Sequence, residues 1–323
     1  MRALSRICIG LLLVTCGSSP IHAQPVQGVL FDLNMTIAVQ TATVAGDVPP
    51  PIASPKVRDL VFQILDDRIP VAKRQDLIRR NPELAGDLIG GLTDELTPGT
   101  AEEYRRIPWI WRIALGAGTG KDPVIMRAVL EEALPEPNQP LHAWRAAVVG
   151  GGIIHGLSQQ DLWPLERMQE LLLDQKALEL RWQMAVAEAA KVIEDEKEPI
   201  GARHDAMRML GLGPWHRYGP QLARYLQMGV HPDLQMGAIG AVADMDHAGA
   251  VAALMKGLPH FSEKNRQLAI HGLLRGEVRQ KTLIEGLEQG SVRPAWLTLE
   301  QREKLMQVAD SSWRDRAAIA LKK

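Results

Sequence analysis

Three stretches between Arg203 and Pro294 can be laid under one another, and that alignment limits the fold more than any other feature of the chain. Ala206, Ala238 and Ile270 fall 32 residues apart, as do Leu210, Val242 and Leu274. The second half of each unit carries a leucine pair: Leu222/Leu226, Leu254/Leu258, and Leu283/Leu287 after a loop three residues shorter. A period of roughly 30–45 residues with two short amphipathic segments is the mark of stacked helical hairpins. One such hairpin cannot bury its own apolar stripe, so its neighbours must cover it. The expected fold is an all-α helical-repeat solenoid.

Helical spacing begins earlier, near Lys56, where Val57, Leu60, Val61, Ile64 and Leu65 share one face. Pro70 restarts the chain, and Asn81-Pro82 separates segments 71–80 and 84–96. Thr100-Ala-Glu-Glu103 has the form of a capping box opening the next helix. Gly116 to Gly120 is read as the turn that ends it, with 123–134 as its partner. Pro135 to Pro140 makes a linker, after which 141–154, 162–173 and 177–194 carry helical pattern. Segments 299–308 and 312–321 complete a last, imperfect hairpin. The sum is about seven hairpins over 56–323, with a spacing that suits HEAT-type repeats better than ankyrin or TPR units.

The N-terminus has a different character. Arg2 and Arg6 precede the apolar run 7–15, and a small residue, Ala23, closes the following polar stretch. This is the pattern of a secretory signal peptide over 1–23, cleaved after Ala23, so the chain is expected to be periplasmic or secreted. Leu13-Val14-Thr15-Cys16 loosely resembles a lipobox, and a lipid anchor at Cys16 is the less favoured alternative because Thr15 is bulky. Residues 24–55 form an extended, proline-rich leader, with weak strand-like alternation over 28–45. No apolar run is long enough for a transmembrane helix.

Both cysteines, Cys8 and Cys16, fall in the signal segment, so the mature chain has no thiol for a disulfide, a nucleophile, a zinc ligand or haem attachment. Without Arg2 and Arg6, 35 basic residues face 38 acidic ones, a balance that does not favour nucleic acid. Asp32-Leu-Asn34-Met35-Thr36 lacks the second carboxylate and the glycine of an aspartyl-phosphatase box. Gly116-Ala-Gly-Thr-Gly-Lys121-Asp122 lacks the first glycine and the final Ser/Thr of a phosphate-binding loop. The eight histidines beyond the signal form no local ligand pair, and His204, His216, His247 and His260 are placed at helix ends or loops. No metal or cofactor is expected. Gly150-Gly-Gly152, inside a helical run, is read as close approach between neighbouring hairpins.

The most unusual stretch is Tyr104-Arg-Arg-Ile-Pro-Trp-Ile-Trp-Arg112. Trp109 and Trp111 lie two apart and so point about 200° apart on a helix. Tryptophan and arginine together are the residue types that anchor interfaces, which makes Arg105, Arg106, Trp109, Trp111 and Trp144 candidates for binding a protein partner. The other reading, that the eight tryptophans fill wide gaps between repeats, stays open.

Several runs carry a resemblance: Pro108-Trp-Ile-Trp-Arg112, Leu141-His-Ala-Trp-Arg145, Gly150-Gly-Gly-Ile-Ile154, Arg203-His-Asp-Ala-Met-Arg-Met-Leu-Gly211 and Asp310-Ser-Ser-Trp-Arg-Asp-Arg-Ala-Ala318. Over residues 56–321 the chain resembles the HEAT-repeat region of secreted multi-domain haem-binding proteins of the planctomycete and verrucomicrobial type. In that family the repeats lie between a propeller-like dehydrogenase domain and a C-x-x-C-H cytochrome domain. This chain has no C-x-x-C-H, so the resemblance implies the interaction solenoid and neither haem nor dehydrogenase activity. The expected function is a non-enzymatic scaffold that binds a protein partner through its curved surface. The alternatives are an accessory subunit of a redox or hydrolytic enzyme, or an enzyme with a composite site across repeats.

Overall fold

The computed structural model describes residues 54–97, 99–134, 143–159 and 163–322, apart from the side chains of 143 and 144. The expected signal peptide, Cys16, nearly all of the leader and the 135–140 linker lie outside the described residues. The described residues contain no strand, and none of their helices is long and apolar enough to cross a membrane.

Among the described residues sixteen α-helices follow one another. The first five are α1 (Pro55–Leu65), α2 (Val71–Arg79), α3 (Ala85–Thr93), α4 (Ala101–Gly120) and α5 (Pro123–Ala133). Next come α6 (Ala143–Ser158), α7 (Pro164–Leu172), α8 (Lys176–Val192), α9 (Ile200–Leu210) and α10 (Trp215–Arg224). The aligned stretches continue with α11 (Pro232–Asp244), α12 (Ala248–Gly257), α13 (Glu263–Leu273) and α14 (Glu277–Glu288), and α15 (Leu299–Leu305) and α16 (Ser311–Ala320) close the chain. Each aligned stretch is therefore one helical hairpin. The arrangement is that of stacked hairpins and fits an α-solenoid.

The helices stand in two rows. In one, α4, α6, α9, α11 and α13 pack in succession. In the other, α1, α3, α5 and α7 follow one another, and later α10, α12, α14 and α16 do the same. Helix α8 packs on α6, α9 and α7 instead of along α10. The repeating positions are the core: Ala206, Ala238, Ile270, Leu210, Val242, Leu222, Leu254 and Leu283 are all fully enclosed. Helix α11 is covered along its length, from Leu234 to Asp244, because α9 and α13 flank it and α10 and α12 close over it. An apolar surface all round suits that position.

Side-chain caps start about half of these helices. Ser54, Asp122, His231, His247, Ser262 and Asp310 each accept a backbone N–H in the first turn, and Thr298 with Gln301 makes a complete capping box. At α4 the expected box is shifted by one residue. Thr100 accepts from Glu103 N–H, but the Glu103 carboxylate reaches back to Gly99 N–H at 2.5 Å.

Two expectations about glycine part ways. Gly116 to Gly120 does not form a turn; α4 continues through it and ends at Lys121, which takes the left-handed conformation with φ 62°. The reason is packing, because a Cβ on Gly118 would collide with the Ile153 carbonyl and one on Gly156 with the Leu115 carbonyl. The Gly150–Gly152 triplet does mark close approach: Cβ atoms there would lie 2.6 Å from Asp205 Cβ (Gly151) and 2.8 Å from Ala114 Cβ (Gly152). Helices α4, α6 and α9 thus touch backbone to backbone, and α6 runs on to Ser158 instead of stopping near 154.

Candidate functional site

A seam of buried polar side chains crosses the first row. Asp244, the last residue of α11, has a side chain only 1% exposed. Its carboxylate forms an ion pair with Arg208 on α9 at 2.7 Å and accepts a hydrogen bond from Arg275, just past α13, at 2.5 Å. The Ser158 hydroxyl at the end of α6 lies 2.9 Å from it and also takes a hydrogen bond from Arg208 at 2.7 Å. Arg279 on α14 donates to the carbonyls of Ala243, Met245 and Gly272 at 2.7, 2.5 and 3.1 Å, closing the C-terminal end of α11. The Arg275 and Arg279 guanidiniums lie 4.5 and 4.8 Å over the Trp163 ring that precedes α7.

Burial sets the electrostatics of this seam. It pushes the Arg208 guanidinium below its ordinary value and brings Arg279 down to about 10, with Arg275 nearby adding to the second effect. The carbonyl ends of α11 and α13 supply part of the compensating negative potential. Ser158 Oγ accepts from Arg208 and has its single proton between the Asp244 carboxylate and the Ile154 carbonyl. The chemistry is that of a clasp.

Toward α4 the seam continues through Trp111, His155, His204 and Asp205. Asp205 is fully enclosed; burial raises its carboxyl pKa, against hydrogen bonds from His204, at 3.1 Å, and Trp111. His155 meets the Trp111 ring edge-on at 5.6 Å, and burial holds its imidazole well below the ordinary value, with Arg208 and His204 adding to the effect. His204 is therefore a buried member of α9, not a helix-end residue, because the α4–α6–α9 contact encloses it. Among the described residues no group of three or more His, Cys, Asp or Glu side chains could hold a metal ion.

The residues singled out from the sequence separate. Arg105 and Arg106 share a groove of about 700 Å³ between α1, α3 and α4. Both pair with Glu102, which they hold down to about 2, and they donate to the end carbonyls of α1 (Leu65) and α3 (Leu92, Asp94). Trp109 is in the core, between the guanidiniums of Arg74 at 4.6 Å and Arg112 at 5.0 Å. Trp111 faces the α6–α9 junction. Trp144 lies on α6, with its side chain outside the described residues.

A second groove, of about 660 Å³, has no counterpart among those candidates. It is lined by α7 (Leu165, Met168, Leu172), α8 (Trp182, Val186) and the start of α10 (Tyr218). Leu173 at its rim is 74% exposed, and Leu180 and Met184, one turn apart on α8, are 50% and 45% exposed. The sequence held a signal for it: Leu171-Leu-Leu173 exceeds what one buried face of α7 can take. No family model, curated protein or solved structure matches the chain.

Proposed function

We propose that this chain is an exported, non-enzymatic HEAT-type scaffold of about seven hairpins that holds a protein partner on its helical surface. The observation that supports this reading most is the groove on α7 and α8, where the apolar side chains of Leu165 and Leu173 stand exposed. Exposed apolar side chains gathered beside a groove, rather than scattered singly, mark contact sites for other proteins. The groove between α1, α3 and α4 supports it less, since Arg105 and Arg106 are already engaged by Glu102 and by helix-end carbonyls. Export rests on the charged, apolar and small-residue order of residues 1–23.

The test is recovery of a partner from envelope extract by the purified protein and by a Leu165→Glu/Leu173→Glu variant. Both positions are exposed, so the variant should keep the helical spectrum and melting temperature of the parent. A specific partner recovered by the parent and lost by the folded variant upholds the scaffold reading. Equal recovery of a specific partner by both removes the groove as the contact surface, and recovery of no specific partner by the parent refutes the scaffold reading.

A further inference from the structure

We infer that the segment received by the α7–α8–α10 groove is a short amphipathic α-helix of the partner protein, a reading that rests on the scaffold function proposed above. The second row packs helix against helix through α1, α3, α5 and α7, and again through α10, α12, α14 and α16. Between these runs α8 packs on α7, α6 and α9 but has no comparable contact along α10, leaving one side of α7 and of α8 facing the groove. The groove therefore lies where the row's own succession of helices is broken, and a helix laid there continues that packing.

The walls have the matching periodicity. On α7 the lining positions are 165, 168, 169 and 172; on α8 they are 179, 182, 183 and 186. Both sets follow i, i+3, i+4, i+7, the ridge spacing into which the ridges of a third helix settle. The seven-residue span of each wall covers about 10 Å, so the groove takes two to three turns of helix. An apolar stripe at i, i+3 or i+4 and i+7 would meet Leu165, Leu172, Trp182 and Val186, the pattern of helix-in-groove recognition. Glu179 on α8 and Arg217 on α10 stand on opposite walls. A helix with a basic residue on its α8 flank and an acidic one on its α10 flank complements both.

The experiment uses three labelled 16-residue peptides and fluorescence anisotropy on the purified protein. The first has leucines on one helical face with a lysine flank and a glutamate flank. The second has the same composition with leucines spread round the helix, and the third exchanges the lysines and glutamates. The first should bind saturably and at least tenfold more tightly than the second, with the third in between. Leu165→Glu and Leu173→Glu should each remove that preference, and Leu173→Ala, which adds no charge, should weaken it less. Equal affinity for the first two peptides, or a preference that survives both charged substitutions, overturns the helix. The partner-recovery assay separates the two ideas: partner loss in the Leu165→Glu/Leu173→Glu variant alongside indifferent peptides leaves the scaffold standing and removes only the helix.

Discussion

Replacing Asp244 by alanine tests whether the seam is a clasp. The substitution removes the carboxylate that Arg208 and Arg275 share at 2.7 and 2.5 Å, in a site where all three side chains are nearly enclosed. Removing one partner of a buried ion pair costs about 3–5 kcal/mol, because the remaining charge keeps its desolvation penalty. Here two guanidiniums are affected, and the Ser158 hydroxyl loses an acceptor worth about 1 kcal/mol. The contributions overlap, since Arg275 keeps the Ala243 carbonyl, Arg208 keeps the Ser158 hydroxyl and Ser158 keeps the Ile154 carbonyl. About 4 kcal/mol is the resulting expectation, roughly a thousandfold in the unfolding equilibrium. Urea unfolding followed by circular dichroism measures it, with Asp246→Ala, at an exposed neighbouring carboxylate, as the comparison expected within about 0.5 kcal/mol of the parent. A cycle combining Asp244→Ala with Arg208→Met should show coupling above about 1 kcal/mol. If Asp244→Ala costs no more than Asp246→Ala, the seam charges are effectively solvated and the clasp argument fails.

Glycine substitutions on neighbouring turns should move stability in opposite directions. Gly156→Ala places a methyl group into the Leu115 carbonyl and should cost about 1–3 kcal/mol, whereas Gly116→Ala enters open space in α4 and should gain up to about 1 kcal/mol in the same urea assay. The pH dependence of stability should have two limbs. His155 has a lowered folded pKa, so the unfolded chain gains its proton first as pH falls below about 6.5, and stability declines toward acid by up to about 1.4 kcal/mol per pH unit. Asp205 has a raised folded pKa, so its contribution is greatest at acid pH and is lost as pH rises from about 3.8 through the folded value. Denaturation midpoints across pH should show the decline below 6.5 flattened in His155→Gln and the alkaline-going loss reduced in Asp205→Asn; unchanged profiles would contradict these assignments.

The core could be read from the sequence because it repeats. Ala206, Ala238 and Ile270 hold equivalent enclosed places, and a period carried by small and aliphatic residues survives translation into structure. The seam does not repeat and so was hidden. Its partners are 31 to 86 residues apart, and no spacing rule links Ser158 to Asp244 or Arg275 to Asp244. The glycine-rich end of α4 misled for a related reason. Local propensity argues against helix there, and only the opposing backbone of α6 reverses that preference. Trp111 illustrates the middle ground: its divergence from Trp109 followed from helical geometry, but the buried imidazole and carboxylate it faces come from α6 and α9. The groove on α7 and α8 left a fainter trace, an excess of leucine over what one helical face can bury.

One contact gives the array a fixed reading order. The residue one 32-residue period beyond Arg208 is Gly240, and the Arg208 guanidinium occupies the place where a Gly240 side chain would begin. Hairpin α9–α10 and hairpin α11–α12 are therefore mates and not copies: one supplies the key, the other the keyhole. A tandem duplication of the first would set an arginine where the second supplies glycine, and a duplication of the second would set glycine beside glycine over a vacancy. Ordinary repeat arrays lengthen or shorten by unequal exchange between equivalent units. At this junction such an exchange is penalised by the side chains themselves, so the array can grow elsewhere along its length more readily than between α9 and α11.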